Sequence, residues 1–202
     1  NTFAGANNFT GICKFGSATD YTAFAADGSM SLTGDATVWE DLVMPLTSGK
    51  QGATSKPDYD YTNNGYLFPQ NDAAEKLYLI AQLPHSWKEG SSINPHIHWV
   101  QSTSTPVTWK IDYKWVNLGE TIGTVWTTAT FSTTPSFAYT SGTIHQLSAP
   151  SAMISGTGKT ISSLFLIKLY REDNTTTGDV LAHQFDIHYE RDAMGSRQEF
   201  VK

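Results

Sequence analysis

The sequence predicts an all-β fold, an antiparallel β-sandwich of jelly-roll type with an extended N-terminal arm. Three observations carry this prediction. Aromatic residues make up 12% of the 202 residues and charged residues only 16%, a balance that favours sheet over solvated helix. Apolar and polar side chains alternate along the clearest segments, and clusters of Gly, Ser, Pro and Asn punctuate the chain between them. No stretch sustains a helical period over more than two turns.

Residues 1–35 are rich in Gly, Ala, Asn, Ser and Thr, with Phe3, Phe9, Phe15, Tyr21 and Phe24 spaced among them. A segment with so little core of its own but so many aromatic anchors reads as an arm, ordered on a neighbouring subunit or on its own domain. A first β-hairpin is the other reading. Residues 36–202 are expected to form one sandwich domain, for which the length is ample. Strand-like runs recur over 37–44, 76–83, 95–101, 107–117, 123–131, 143–148, 161–171 and 180–191. The alternation is cleanest where Val107, Trp109, Ile111, Tyr113 and Trp115 interleave with Thr108, Lys110, Asp112 and Lys114, so one face packs on a core and the other is wet. By contrast, Leu164, Phe165, Leu166 and Ile167 are consecutive. Such a strand has one face on the core and its other face covered by a neighbouring layer or subunit.

Charge and cysteine usage remove several functions. A formal net charge of −6 and a pI near 5.4, with no Lys/Arg cluster, argue against a nucleic-acid partner. Cys13 is alone, so neither an intrachain disulfide nor a cysteine metal cage can form. No apolar run approaches the roughly 20 residues of a membrane helix, and the first residues lack a signal-peptide plan, so the chain reads as soluble with no membrane partner.

Among chemical candidates, Pro95-His96-Ile97-His98-Trp99 stands out, because strand parity puts His96 and His98 on one face. Cupins begin their metal motif this way, but a carboxylate is then needed about four residues after the second His, and Val100 to Ser104 hold none. His188, on the same face as Asp186, could supply a further ligand if the two strands pair. The competing reading is a hydrogen-bonded polar sheet face. With the carboxylate missing and the pairing unfixed, no catalytic, cofactor-binding or metal residue is assigned and no bound ion is expected.

Gly156-Thr157-Gly158-Lys159-Thr160 imitates the end of a P-loop, yet Met153 stands where the first glycine belongs and a β-like run follows. A turn leading into a strand explains it. No nucleophile elbow or zinc-protease helix motif occurs, and pairs such as Glu40 with Asp41 or Asp58 with Asp60 read as solvated surface. Tyr59, Tyr61 and Tyr66 lie close in sequence and offer faces on which sugar rings stack, whereas Trp39, Trp99, Trp109 and Trp115 fall in strands where a core accounts for them. Sequons occur at Asn8 and Asn174.

Several blocks resemble a family of uncharacterised proteins from the structural gene clusters of tailed phages and prophages. They are Val38-Trp39-Glu40-Asp41-Leu42, the run from Leu83 to Gly90, Pro95 to Trp99, Gly158 to Ser163, Asp186 to Glu190, and Gly195 to Lys202. The resemblance implies a virion component, of the decoration, head-fibre or small tail type, that assembles with itself as a homo-oligomer, typically a trimer. Its other partners would be virion structural proteins such as major capsid or tail proteins. The expected function is therefore a non-enzymatic virion structural protein that decorates or stabilises a capsid or tail lattice. A glycan- or host-surface-binding module of a fibre or tail is the alternative, and a cupin-like metal-binding protein a third.

Overall fold

The computed structural model describes residues 10–70, 72–131, 144–173 and 178–202. After a small N-terminal sheet of β1 (Cys13–Gly16), β2 (Tyr21–Phe24) and β3 (Met30–Thr33), the chain supplies eleven more strands. These are β4 (Val38–Pro45), β5 (Lys50–Gln51), β6 (Asp58–Asp60), β7 (Gly65–Phe68), β8 (Leu77–Gln82), β9 (Ile93–Val100), β10 (Trp109–Val116), β11 (Thr127–Phe131), β12 (Gln146–Ser148), β13 (Leu164–Arg171) and β14 (Val180–Arg191). They build two antiparallel sheets. One has the order β11-β10-β13-β8-β5, and the other β12-β9-β14-β7-β6.

Strand β14 organises the second sheet. At 12 residues it is long enough to pair along one edge with β7 (Leu181 opposite Leu67) and then with β4 (Ile187 opposite Leu42), while β9 runs along its other edge. The register on the β9 side shifts between Ala182 and Gln184, so His183 is the extra residue of a bulge.

The inner faces meet as the alternation requires. Trp109, Ile111 and Trp115 from β10 and Phe165, Ile167 and Leu169 from β13 turn inward against Ile97, Trp99, Phe185 and Ile187. Trp109 packs edge-on to Phe68 at 5.1 Å and to Trp99 at 6.1 Å between ring centroids, joining the sheets. Trp99 Nε1 donates to Ser148 Oγ at 2.9 Å and Trp115 Nε1 to Ser163 Oγ at 2.7 Å, so two buried indoles keep their polar handles satisfied.

The described part of the first 35 residues pairs with itself: β1 with β2 and β2 with β3 form a small meander. It is tied to the end of β14 by a bond from Leu32 N to Asp192 O at 2.6 Å and by an Arg197–Asp27 ion pair. Phe15 and Phe24 meet edge-on at 6.1 Å on this sheet, both exposed. Phe3, Phe9 and the sequon residues Asn8 and Asn174 lie outside the described residues.

Candidate binding face on the second sheet

Five of the six histidines, His96, His98, His145, His183 and His188, gather on or beside the outer face of the second sheet. The cause is parity and register together. On β9, Ile97 and Trp99 face the core, so Asn94, His96 and His98 face outward. On β14, Phe185, Ile187 and Tyr189 face the core and leave Gln184, Asp186 and His188 outside. The register then sets His96 opposite Asp186, His98 opposite Gln184 and Asn94 opposite His188, and from the other side Asp41 opposite His188. The pairing of β9 with β14 that the sequence left open is therefore made.

Although they point away from the core, His96 and Asp186 are only 4% and 3% exposed. Neighbouring rings cover them: His188 lies edge-on to His96 at 3.9 Å between centroids. His96 Nδ1 is 3.7 Å from Asp186 Oδ1, His98 Nε2 is 3.3 Å from Asp186 Oδ2, and His188 Nε2 is 3.5 Å from Asp186 Oδ2 and 2.9 Å from Asp41 Oδ1. His98 Nδ1 in turn meets His145 Nε2 at 2.8 Å. Asn94 Nδ2 lies 3.1 Å from His96 Nε2. Three buried polar atoms here, Asn94 Oδ1, His96 Nδ1 and Asp186 Oδ1, have no hydrogen-bond partner among the described residues. Burial, and then the neighbouring His188, push His96 down to about 4, so its imidazole is neutral near pH 7. A neutral imidazole keeps a lone pair for a ligand.

Further along the same face, Val100, Leu181 and Leu67 stand opposite one another across three strands and floor a depression of about 340 Å³. Its rim carries Asp60, Asn63, Ser102, Asp179 and His183. Asp60 accepts from the backbone N of Thr62 at 2.8 Å and from Asn63 Nδ2 at 2.8 Å, and these bonds, that from Asn63 first, lower its pKa. Of the three tyrosines flagged in the sequence, Tyr59 and Tyr66 pack together at 5.0 Å against the core, whereas Tyr61, next to Asp60, is 90% exposed.

Other sequence candidates resolve into structural roles. Gly156 lies so close to Ser91 O and the Trp87 ring that a Cβ there would sit 2.0 Å and 2.8 Å from them. Gly158 has a φ of +74°, Lys159 N bonds Gly156 O at 2.8 Å, and β13 follows with no helix to hold a phosphate. Lys159 pairs with Glu120 at 3.4 Å. Glu40 pairs with Arg191 at 3.3 Å rather than with a second acid. On the first sheet, the outer side of the consecutive apolar run is open: Leu166 stands opposite Ile80, with Leu164 and Tyr78 flanking that pair along their strands, and Ile80 is 67% exposed.

No family model and no curated protein matches the chain. Among solved structures, it is similar to the crystal structure of the CBM36-1 domain of a multidomain xylanase from the hindgut metagenome of Trinervitermes trinervoides. The identity is 15% and the TM-score 0.43, over 73% of this chain and 96% of that one.

Proposed function

We propose that this protein is a non-enzymatic binding module whose second sheet presents its outer face to a polyhydroxylated ligand, a surface glycan. The observation that carries the reading is the depression on the outer face of the second sheet. An aliphatic floor of Val100, Leu181 and Leu67 suits the C–H face of a sugar ring, and the surrounding carboxylates and amide suit its hydroxyls. Asp60, held ionised by its own turn, is an acceptor fixed in place before any ligand arrives. Asp179 adds a second carboxylate, an exposed one, to the rim.

Immobilised neutral and acidic oligosaccharides test this. The chain should retain at least one class of glycan, and Asp179→Ala should weaken that binding about tenfold, equivalent to about 1.4 kcal/mol. Because Asp179 is exposed, the substitution should leave thermal unfolding unchanged. A chain that retains no glycan, or an Asp179→Ala variant that binds as well, refutes the assignment.

A second reading, self-assembly into a virion lattice, is favoured by the open apolar strip on the other sheet. Tyr78, Ile80, Leu164 and Leu166 lie side by side there without a covering layer among the described residues. A second copy of the chain is the proposed occupant, consistent with the homotrimer and the head or tail partners that the sequence resemblance implies. Light scattering at tens of micromolar should then report an oligomer that Ile80→Asp converts to monomer with its fold intact. A monomeric wild-type chain refutes it.

A further inference from the structure

We infer that His96, Asp186 and His188, with His98 beside them, form a binding site for one divalent transition-metal ion, of which zinc is the representative. The three core residues place one ligand atom each within 4.8 Å of one another, two on β14 and one on β9. This inference is independent of the glycan reading, whose depression uses other side chains of the same face.

Geometry is the first argument. Four ligands held 2.0–2.1 Å from zinc in a tetrahedron stand about 3.3–3.4 Å from one another. The nitrogens of His98 and His188 approach Asp186 Oδ2 at 3.3 and 3.5 Å, and that of His96 approaches Oδ1 at 3.7 Å. Those of His188 and His96 are long for hydrogen bonds between charged or polar groups, and all three are near the ligand–ligand spacing of a coordinated ion.

The second argument is what the cluster leaves unsatisfied. Asn94 Oδ1, His96 Nδ1 and Asp186 Oδ1 are buried without partners among the described residues, and such orphaned atoms are uncommon and costly in folded proteins. A single ion provides for the last two. Bound to His96 Nδ1 and Asp186, it satisfies two directly. It also fixes the neutral His96 tautomer with its proton on Nε2. Turning the Asn94 carboxamide over then brings Oδ1 to where Nδ2 now lies, 3.1 Å from Nε2, to accept that proton. His145, at 2.8 Å from His98 Nδ1, is placed to orient His98 in the same way, by accepting its proton and freeing Nε2 for the ion.

The donor set decides the class of metal. Imidazole nitrogens with one carboxylate suit zinc and the neighbouring first-row ions, whereas calcium and magnesium call for oxygen donors throughout. The carboxylate that a cupin motif requires downstream of its second histidine on one strand is here contributed by Asp186 of the adjacent strand.

The test uses the whole chain, stripped with chelator and dialysed, then titrated calorimetrically with zinc chloride and analysed for retained metal. One zinc per chain is expected, with a rise in the unfolding temperature on loading. His188→Ala, at a partly exposed position, should weaken binding at least a hundredfold and abolish the thermal shift while the apo protein still unfolds cooperatively. Asp186→Asn should do the same, and His85→Ala, which removes a histidine bonded to Ser162 and Ser196 instead, should change neither. Cobalt in place of zinc should show the intense visible bands of a four-coordinate site. A wild-type chain that binds no zinc, or zinc binding that survives the double substitution of His96 and His188 by alanine, overturns the inference.

Discussion

Trp109→Ala should lower stability by about 3–5 kcal/mol, the range for an aromatic removed from a packed core. Trp109 is fully buried in β10, and its ring meets Phe68 of the opposite sheet at 5.1 Å and Trp99 at 6.1 Å. Removing it leaves a cavity between the sheets that the pleated backbones, pinned by their ladders, cannot close. Its Nε1 has no hydrogen-bond partner among the described residues, so the loss is one of packing rather than of a polar contact. Trp39→Ala is the matched control, because Trp39 is 52% exposed on β4 and should change stability by no more than about 0.5 kcal/mol. Denaturant titrations compare the two through the midpoint at constant slope. If Trp109→Ala costs no more than Trp39→Ala, the two sheets are not held together as described.

The contrast between these tryptophans also shows what the sequence could and could not reveal. All eight segments read as strands contain strands, because each is long enough for period-two alternation or a continuous apolar run to be visible. Parity correctly turned Trp109, Ile111 and Trp115 inward. It did not foresee an exposed Trp39, since β4 joins β14 by its edge and one of its faces stays open. Strands β5, β6 and β7, at two to four residues, are too short to carry a period, and they pair through register alone. The three strands before residue 35 sit in small, polar sequence whose composition resembles an arm, and only their pairing distinguishes a meander from one.

The histidine cluster was legible in part for the same reason. Alternation placed His96 with His98, and Asp186 with His188, but each pair belongs to one strand. What joins them is a register in which Asp186 faces His96, and register follows from hydrophobic matching across the core, Phe185 opposite Ile97 and Ile187 opposite Pro95. His145 and Asp41 come from further segments and carry no local signal. A search for a carboxylate near His98 in sequence looks along the wrong strand. The depression beside Asp60 was hidden for a related cause: its floor is assembled from Leu67, Val100 and Leu181, one from each of three strands.

Asp173→Ala should also destabilise the protein by about 3–5 kcal/mol, because it leaves a buried guanidinium without its counter-charge. Arg171 is fully buried at the end of β13. Its Nε and Nη2 reach Asp173 Oδ2 and Oδ1 at 2.5 and 3.1 Å, a bidentate pair. Nη1 continues across the sandwich to Phe68 O at 3.2 Å and Gly178 O at 2.7 Å, so one side chain links the first sheet to β7 and to the approach of β14. Burial removes solvent screening, so the loss should be the same at high and low salt, unlike that of the exposed Lys159–Glu120 pair. Substituting both partners with apolar residues, Arg171→Met with Asp173→Leu, should recover much of the stability lost in Asp173→Ala, since no charge is then stranded. Urea titrations of the two variants decide the matter. A cost below about 1 kcal/mol for Asp173→Ala would mean that the arginine finds another partner or water, and that it does not clasp this end of the sandwich.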